Sequence, residues 1–313
     1  MQVRHFLTLR DFSPEELDRI VSRGAELKRL HAAGHTCMPL KGKTLAMIFG
    51  LSSTRTRVAF EVGMHQLGGH AINLGPQDSQ IGRGEPIEDT ARVLSEMVDA
   101  VMIRTLRHDD VTAFARASTV PVINGMTARF HPCQLLADMQ TYAEVRGRTI
   151  EGRTVAFVGD GYNMCNSYIN AARQFRFLLK IATPETHRPE EELLAGTDSA
   201  ELVESPRAAV EDADLVVTDV WSSMGHDGEA QDRRDAFDGY QVTPALLDFA
   251  DRDAIFMHCL PAHRGEEISD DLFEDSRSVV YTEAGNRLHS QKALLEFLLR
   301  EPSAGGAFPA ADA

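Results

Sequence analysis

A dense group of hydroxyl and guanidinium side chains lies at Ser53–Arg57, which reads Ser-Thr-Arg-Thr-Arg. It follows an apolar run, Thr44 to Phe49, that predicts a buried strand, and it precedes residues 58–67, which predict a helix. Ser53 therefore occupies a helix N-cap, where free backbone N–H groups and the helix dipole favour anions. Because arginine donates in a fork that matches phosphate oxygens, the segment predicts a phosphate site. The alternative is a capped helix with solvated arginines.

Other candidate residues occur where further predicted strands end. Arg104 closes the strand predicted at Ala100 to Arg104, and His131 precedes Pro132 at the start of a predicted helix. Each has an ordinary alternative, a surface arginine at Arg104 and a helix-capping histidine at His131. The second half of the chain places a further set at such positions: Asn163, Asp219, Ser223, Met224 and Cys259. Because open α/β sheets bind ligands at the carboxyl ends of their strands, the shared placement predicts binding sites there.

The two halves offer complementary charges. Arginine and histidine in the first half suit an anionic phosphate, whereas Asp219 and Asn163 suit a partner that carries an amine. Holding two ligands in a fixed mutual orientation lowers the barrier to a reaction between them. The sequence therefore predicts an active site in a cleft between two domains.

Several other chemistries are disfavoured. The chain has neither a Walker-type lysine motif nor a Gly-x-Ser-x-Gly elbow. The Gly-Asp-Gly run at Gly159 begins like a dinucleotide fingerprint, but Met164 stands at the third glycine position, which disfavours a nicotinamide cofactor. His258 and Cys259 are neighbours on a predicted strand, so they point to opposite faces, and zinc-type ligand spacing is missing. No metal and no organic cofactor is predicted.

Apolar strands alternate with helical segments along the chain of 313 residues. This pattern predicts an α/β fold of two domains, each with a doubly wound parallel sheet. We place an anion-binding domain at 1–135 and a second domain, for the amine-bearing partner, at 150–286, with a C-terminal helix, 287–300, packing back on the first. Ser278 to Tyr281 is predicted as the last strand, and residues 301–313 as a disordered tail.

Composition limits the partners and the compartment. The formal net charge of -15 argues against the basic face that a nucleic acid requires. The sequence has no run of about 18 apolar residues, which predicts no membrane span. The four cysteines form no close pairs and the first residues lack an apolar signal core, so the sequence predicts a protein of the reducing cytoplasm.

Four motifs together closely resemble the ornithine carbamoyltransferase family. They are Ser53–Arg57, His131-Pro132-Cys133-Gln134, Asp219-x-x-x-Ser223-Met224-Gly225 and His258-Cys259-Leu260-Pro261. The first motif is shared with aspartate carbamoyltransferases, whereas the Ser-Met-Gly loop and the cysteine of the last motif favour the ornithine type. The resemblance follows the chain in order over nearly its whole length, excluding the tail.

The resemblance implies transfer of a carbamoyl group from carbamoyl phosphate to the δ-amine of L-ornithine, giving L-citrulline and phosphate, as in arginine biosynthesis. It also implies no cofactor and a homotrimer in which Gln80 reaches a neighbouring subunit's site. The residues implied for carbamoyl phosphate are Ser53, Thr54, Arg55, Thr56, Gln80, Arg104, His131, Pro132, Cys133, Gln134, Cys259, Leu260 and Arg287. Those implied for ornithine are Asn163, Asp219, Ser223 and Met224, and the catalytic residues are Arg104, His131, Asp219 and Cys259.

This reaction requires a neutral amine, although a free alkylamine is mostly protonated at pH 7. Asp219 and Cys259 are expected to orient or deprotonate the amine. Arg104, His131 and Thr56 are expected to stabilise the charge that develops on the carbonyl oxygen. The group that finally accepts the proton stays open, with the phosphate as one candidate.

Two positions depart from the pattern of this family. Most relatives carry a polar pair such as Glu-Lys before the Ser-Thr-Arg-Thr-Arg segment, where this chain has Gly50 and Leu51, and Tyr162 replaces a frequent second asparagine. Two alternatives stay open: a transcarbamoylase for another amine, such as putrescine or N-acetylornithine, and a non-catalytic metabolite-binding relative. Loop 222–229 distinguishes the first, and the change at Gly50 and Leu51 favours the second.

Overall fold

A computed structural model describes residues 3–75, 84–222 and 230–300. Gln80, Ser223 and Met224, and the predicted tail at 301–313, lie outside the described residues. The described chain divides into two compact units. The first unit comprises the residues up to Gln140 and those from Gly285 on, and the second unit is Thr141–Ala284.

The first unit is built on a four-stranded parallel sheet with the strand order β2-β1-β3-β4. Its elements, in chain order, are α1 (Pro14–Ala32), β1 (Thr44–Phe49), α2 (Thr54–Gln66), β2 (His70–Leu74), α3 (Ile87–Ser95), β3 (Ala100–Arg104), α4 (His108–Ala117) and β4 (Val122–Met126). The continuous apolar run of β1 is typical of a parallel strand covered on both faces. Helices α3 and α4 pack on the sheet through an apolar core that includes Val101, Val111, Phe114 and Val122.

The chain leaves β1 toward β2 on one side and reaches β3 on the other, so the strand order reverses beside β1. Such a switch point is where an open α/β sheet binds its ligand. In the parallel ladder, Phe49 of β1 lies opposite Arg104 of β3. The segment after Phe49 and the end of β3 therefore meet at one point of the sheet edge.

The second unit carries a five-stranded parallel sheet with the order β7-β6-β5-β8-β9. The remaining elements are α5 (Pro132–Arg146), β5 (Thr154–Val158), α6 (Asn163–Phe175), β6 (Leu178–Ala182), α7 (Glu191–Ala195), β7 (Ala200–Leu202), α8 (Pro206–Val210), β8 (Leu215–Thr218), α9 (Ala230–Ala236), α10 (Pro244–Leu247), β9 (Ile255–His258) and α11 (Val280–Leu299). The boundary between the units falls within α5 and within α11.

The switch point of this second sheet lies between β5 and β8, where Gly159 follows β5. Gly159 has a φ of 136°, and a Cβ atom there would lie 3.1 Å from Oγ1 of Thr218 at the end of β8. Glycine is required at this position because a side chain would be strained and would crowd the neighbouring strand end. The carboxyl ends of β5 and β8 thus approach each other closely.

Helices α1 and α11 are joined by a buried ion pair in the first unit. The Arg23 guanidinium donates to both carboxylate oxygens of Glu296, at 2.9 and 3.1 Å. Both side chains are almost fully buried, and a buried pair of this geometry is strongly destabilised if either partner is removed. Residues near the two ends of the sequence therefore belong to one packed body.

The parallel α/β fold predicted from the sequence is confirmed, but one strand prediction is wrong. Ser278 forms a single bridge with Phe256, and Val280 already begins α11, so Ser278 to Tyr281 is not a strand. The β-branched pair there favoured a strand, but Val280 is buried in the core of the second unit, and packing decides over propensity. The short strand β7 and the polar helix α9 were not predicted.

Among the residues that the structure describes, no helix is both long enough and apolar enough to cross a lipid bilayer.

Candidate active site

The Ser-Thr-Arg-Thr-Arg segment forms the start of α2. Ser53 is the N-cap with an extended backbone, and its Oγ accepts a hydrogen bond from the backbone N–H of Thr56 at 3.3 Å. Thr56 is buried, Arg55 is half-buried and Arg57 is exposed. Arg57 pairs with Glu61 one turn later, so the solvated-arginine alternative describes Arg57 but not the buried part of the segment.

Two guanidinium groups converge on the hydroxyl of Thr56. Arg104 donates to Thr56 Oγ1 at 3.4 Å, and Arg287 donates to the same oxygen at 3.2 Å. Arg287 also donates to the side-chain oxygen of Gln134 at 2.6 Å, and Gln134 donates to Asp138 at 2.9 Å. All of these side chains are nearly excluded from solvent. Two like charges buried this close repel each other, and an anion bound between them would relieve the repulsion.

The pKa of His131, which lies just before α5, is affected by the same arginines. This pKa lies well below the ordinary value, because burial disfavours the charged form and because Arg287, Arg104 and Arg55 add their repulsion. The imidazole is therefore neutral at physiological pH. A neutral imidazole can donate a hydrogen bond to a carbonyl oxygen without transferring a proton to it, which suits an oxyanion-stabilising group.

Cys133, the second residue of α5, is turned into the core. Its thiol donates to the backbone oxygen of Asn124 at 3.3 Å, and burial raises the thiol pKa to about 12. The thiolate, which is the nucleophilic form of cysteine, is thus absent at neutral pH. Pro132 is likewise buried, so both residues shape the start of α5 rather than present reactive groups.

The second unit brings an acid and a thiol together at the ends of two paired strands. Thr218 of β8 lies opposite His258 of β9, so Asp219 and Cys259 follow at the same level of the sheet. The Cys259 thiol donates to Asp219 Oδ1 at 3.3 Å, and the backbone N–H of Val220 donates to the same oxygen at 2.8 Å. Burial raises the pKa of Asp219, although these hydrogen bonds favour the carboxylate.

His258 makes a separate set of contacts. Its Nδ1 accepts from the backbone N–H of Leu260 at 2.9 Å, which leaves the proton on Nε2 to face Glu267 at 3.2 Å. Asp219, His258 and Cys259 offer ligand-type atoms within 4.8 Å of one another. Both ring nitrogens of His258 are already engaged, however, so a metal would have to displace one of these hydrogen bonds.

Two further predicted residues have defined places in the second unit. Asn163 is the first residue of α6 and is buried, and its backbone oxygen accepts from Ser167 at 2.6 Å. Leu260 has a φ of 56°, a left-handed conformation that is unusual for leucine and that turns the chain sharply after β9. This turn directs the backbone N–H of Leu260 at His258 and leaves Cys259 beside Asp219.

Two family profiles match this chain in the same order as its two units. Residues 4–144 match the carbamoyl-P binding domain of aspartate/ornithine carbamoyltransferase, and residues 151–298 match its Asp/Orn binding domain. The chain belongs to the aspartate/ornithine carbamoyltransferase family. The resemblance noted in the four sequence motifs is thereby confirmed.

Individual members of the family are similar over almost their full length. The ornithine carbamoyltransferase of Hydrogenovibrio crunogenus is 57% identical over 300 residues, which cover 96% of this chain and 99% of the relative. The anabolic ornithine carbamoyltransferase of Pseudomonas aeruginosa is 58% identical, with 96% and 98% covered. The solved structure of the Pyrococcus furiosus ornithine carbamoyltransferase superposes with a TM-score of 0.90 at 47% identity, with 95% and 97% covered.

The predicted site residues that the structure describes fall into two groups, one in each unit. Ser53, Thr56, Arg104, His131, Gln134 and Arg287 lie together in the first unit. Asn163, Asp219, Cys259 and Leu260 belong to the second unit. The roles of all of these residues, and of the loop residues outside the described ranges, stay predictions.

One contact near this second group was not predicted from the sequence. Arg233 of α9 forms a buried ion pair with Asp160, which lies between β5 and Asn163. Asp160 stood in the Gly-Asp-Gly run that the sequence singled out, but nothing in the sequence of α9 distinguished Arg233 from its charged neighbours.

Proposed function

We propose that this chain transfers the carbamoyl group of carbamoyl phosphate to the δ-amine of L-ornithine, forming L-citrulline and phosphate. The observation that carries the proposal is the pair of buried arginines on Thr56, within a chain that is 57% identical to a named ornithine carbamoyltransferase over almost its whole length. The fold supports the same conclusion, because the first unit matches a carbamoyl-P binding domain.

The phosphate of the substrate is held at the start of α2. Ser53, Thr54, Arg55 and Thr56 donate from the first helical turn, and Arg104 and Arg287 add two guanidinium forks. The start of α5, with Pro132, Cys133 and Gln134, contributes to the same site. Binding by preformed charges requires little rearrangement when the anion arrives, which favours affinity.

The carbonyl oxygen of the carbamoyl group is polarised by Arg104, neutral His131 and Thr56. When the amine attacks the carbonyl carbon, a C–N bond forms and the oxygen gains negative charge. Breaking the C–O bond to phosphate then releases a leaving group that the arginines already stabilise. Electrostatic stabilisation of this kind is commonly the largest single contribution to catalysis.

Ornithine is bound by the second unit through Asn163, Asp219 and the loop residues Ser223 and Met224. The buried carboxylate of Asp219 attracts and orients the δ-amine, and the adjacent Cys259 thiol favours the charged form of that carboxylate by donating to it. Leu260 and Cys259 present the turn after β9 to the carbamoyl end. The departing phosphate is the candidate for the final proton acceptor.

The proposed assembly is a homotrimer in the cytoplasm, with Gln80 reaching a neighbouring site, and the proposed direction is biosynthetic. The naming of a 58% identical relative as anabolic supports that direction. Sedimentation analysis of the purified chain gives the assembly, and a trimer or a multiple of it is expected.

Product analysis tests the reaction. Purified protein is incubated with carbamoyl phosphate and, in separate reactions, ornithine, putrescine, N-acetylornithine or aspartate. Citrulline from ornithine alone supports the proposal. Carbamoylated product from another amine would assign a different second substrate, and folded protein without any product would favour a binding protein.

A further inference from the structure

A single guanidinium group joins two loops of the second unit. Nη1 of Arg233 donates to Oδ2 of Asp160 at 2.7 Å and to the backbone oxygen of Trp221, also at 2.7 Å. The terminal nitrogen of arginine carries two hydrogens, so each contact can use one of them. The side chains of Arg233 and Asp160 are 9% and 6% exposed.

The two acceptors lie next to residues that the proposed function assigns to ornithine. Asp160 is three positions before Asn163, in the loop that leads from β5 to α6. Trp221 is two positions after Asp219, in the chain that leaves β8. Strands β5 and β8 flank the switch point of this sheet, so Arg233 connects by hydrogen bonds the two loops that follow these strands.

The rest of this region is packed tightly around the same contact. The Trp221 ring stacks on Phe237 with the ring centroids 5.5 Å apart and 12° between the planes. Phe237 is fully buried directly after α9 and also contacts His187. At Gly161, next to Asp160, an added Cβ atom would overlap with the backbone nitrogen of Pro189, so only glycine fits at this point of the loop.

We infer that Arg233 is a positioning residue for the amine substrate, acting through Asp160 and Trp221 rather than by touching ornithine. This inference rests on the proposed function. A hydrogen bond to a charged group is directional, and the two acceptors together fix the distance between the two loops. Loss of this contact lets the loops separate, so Asn163 and Asp219 no longer meet the substrate in one geometry.

The neighbouring Arg234 provides a matched control. It also pairs with an acid, Glu266, at 2.7 Å, but its side chain is 53% exposed, and among the described residues it donates to neither Asp160 nor Trp221. Exposed ion pairs contribute little to stability, whereas a buried pair leaves an uncompensated charge when one partner is removed. A comparison of variants at the two adjacent arginines therefore distinguishes the loss of positioning from the loss of a positive charge on α9.

The variants Arg233→Lys, Arg233→Gln with Asp160→Asn, and Arg234→Gln are compared with the unchanged protein. Lysine keeps the charge but its side chain is one atom shorter than the path to Nη1 of arginine, and the double variant removes both buried charges together. For both Arg233 variants we expect the ornithine KM to rise at least about tenfold. The KM for carbamoyl phosphate is expected to stay within about twofold, as is every parameter of Arg234→Gln.

Fluorescence gives a second measurement that does not depend on turnover. Trp221 is the only tryptophan of the chain, and it is buried, so its emission reports on this loop alone. A shift of the emission maximum to longer wavelength is expected for the Arg233 variants and not for Arg234→Gln. Thermal unfolding of each variant, monitored by circular dichroism, shows whether the fold itself has been lost.

The outcomes are distinguishable. An unchanged protein that makes no citrulline overturns the proposed function, and the inference falls with it. An active unchanged protein whose Arg233 variants keep the ornithine KM and the emission maximum overturns the inference alone. Equal increases in both KM values, together with a lowered melting temperature, would assign Arg233 a purely structural role and would also overturn it.

Discussion

The first unit and the second unit bury charge in opposite ways. Just before α5, burial and neighbouring arginines act together, and both lower the pKa of His131. At the end of β8, burial raises the pKa of Asp219, while hydrogen bonds from Cys259 and Val220 act in the other direction. The anion site therefore has a strong and fixed positive field. At the acid site, opposing effects act on the Asp219 pKa, so small changes can shift it.

The difference indicates where each substrate obtains its binding energy. A phosphate gains from charges that are already assembled, since those charges repel one another until the anion arrives. An amine gains from one carboxylate whose charged form depends on two hydrogen bonds. Changes in the first unit should therefore act mainly through charge, and changes in the second unit mainly through geometry and protonation.

Replacing Arg104 should give the largest effect. Arg104→Gln removes one of the two guanidinium groups on Thr56 and should lower kcat/KM for carbamoyl phosphate about 10²–10³-fold, as for loss of an oxyanion donor. Steady-state kinetics with each substrate varied in turn measures the change. Arg57→Gln is the control, because Arg57 is exposed and pairs with exposed Glu61, and its kinetics should match the unchanged protein. Equal losses in the two variants would contradict a specific role for Arg104.

Replacing Asp219 should give the next largest effect, confined to the amine. Asp219→Asn keeps the shape but removes the charge, and the ornithine KM should rise about 10- to 100-fold. Calorimetric binding of carbamoyl phosphate to this variant should be unchanged. A parallel loss of carbamoyl phosphate binding would show that the two sites are not separable in this way.

The pH dependence of the two KM values sharpens the comparison. Under the proposed function, ornithine binding requires the Asp219 carboxylate. Burial raises the pKa of Asp219, so ornithine affinity should be present at higher pH and be lost as pH falls through that raised pKa. The pKa of His131 is lowered, so His131 stays neutral through the ordinary histidine range and adds no inflection to the carbamoyl phosphate KM there. Protonation of the free amine also weakens ornithine binding as pH falls, so Asp219→Asn should abolish only the additional inflection at the Asp219 pKa. Retention of that inflection would assign it to another group.

The smallest effect is expected at the departure from the family pattern. The backbone N–H of Gly50 donates to the backbone oxygen of Arg104 at 2.8 Å, and a Cβ atom at Gly50 would meet that oxygen at 3.4 Å, an ordinary contact. The main chain therefore holds this turn without a polar side chain. Gly50→Glu with Leu51→Lys should change the carbamoyl phosphate KM by less than about twofold. A tenfold decrease would show that the missing pair matters for affinity.

The sequence predicted the parallel α/β architecture because uninterrupted apolar strands alternate with helical segments, a pattern that does not depend on distant contacts. It failed at Ser278 to Tyr281, where Val280 enters the core of the second unit as the first residue of a helix. It also missed α9, because a helix rich in charge gives no apolar periodicity to detect.

The candidate site was predictable only in part for a similar reason. The N-cap and arginines of α2 are local features, so the sequence indicated an anion site there. That Arg287 contacts Thr56 across 231 positions could come only from family resemblance, since residue types alone do not specify such a contact. The joint contact of Arg233 with Asp160, 73 positions away, and with Trp221, 12 positions away, belongs to no short motif either.

The division of the chain has a consequence for synthesis on the ribosome. The second unit is one continuous segment, Thr141–Ala284, and it can complete its sheet as soon as that segment has emerged. The first unit needs Arg287 and Glu296, which are translated after the whole second unit, to complete the contacts with Thr56 and Arg23. The unit that begins first is thus completed second, and a nascent chain cannot assemble its arginine cluster until the second unit has been translated.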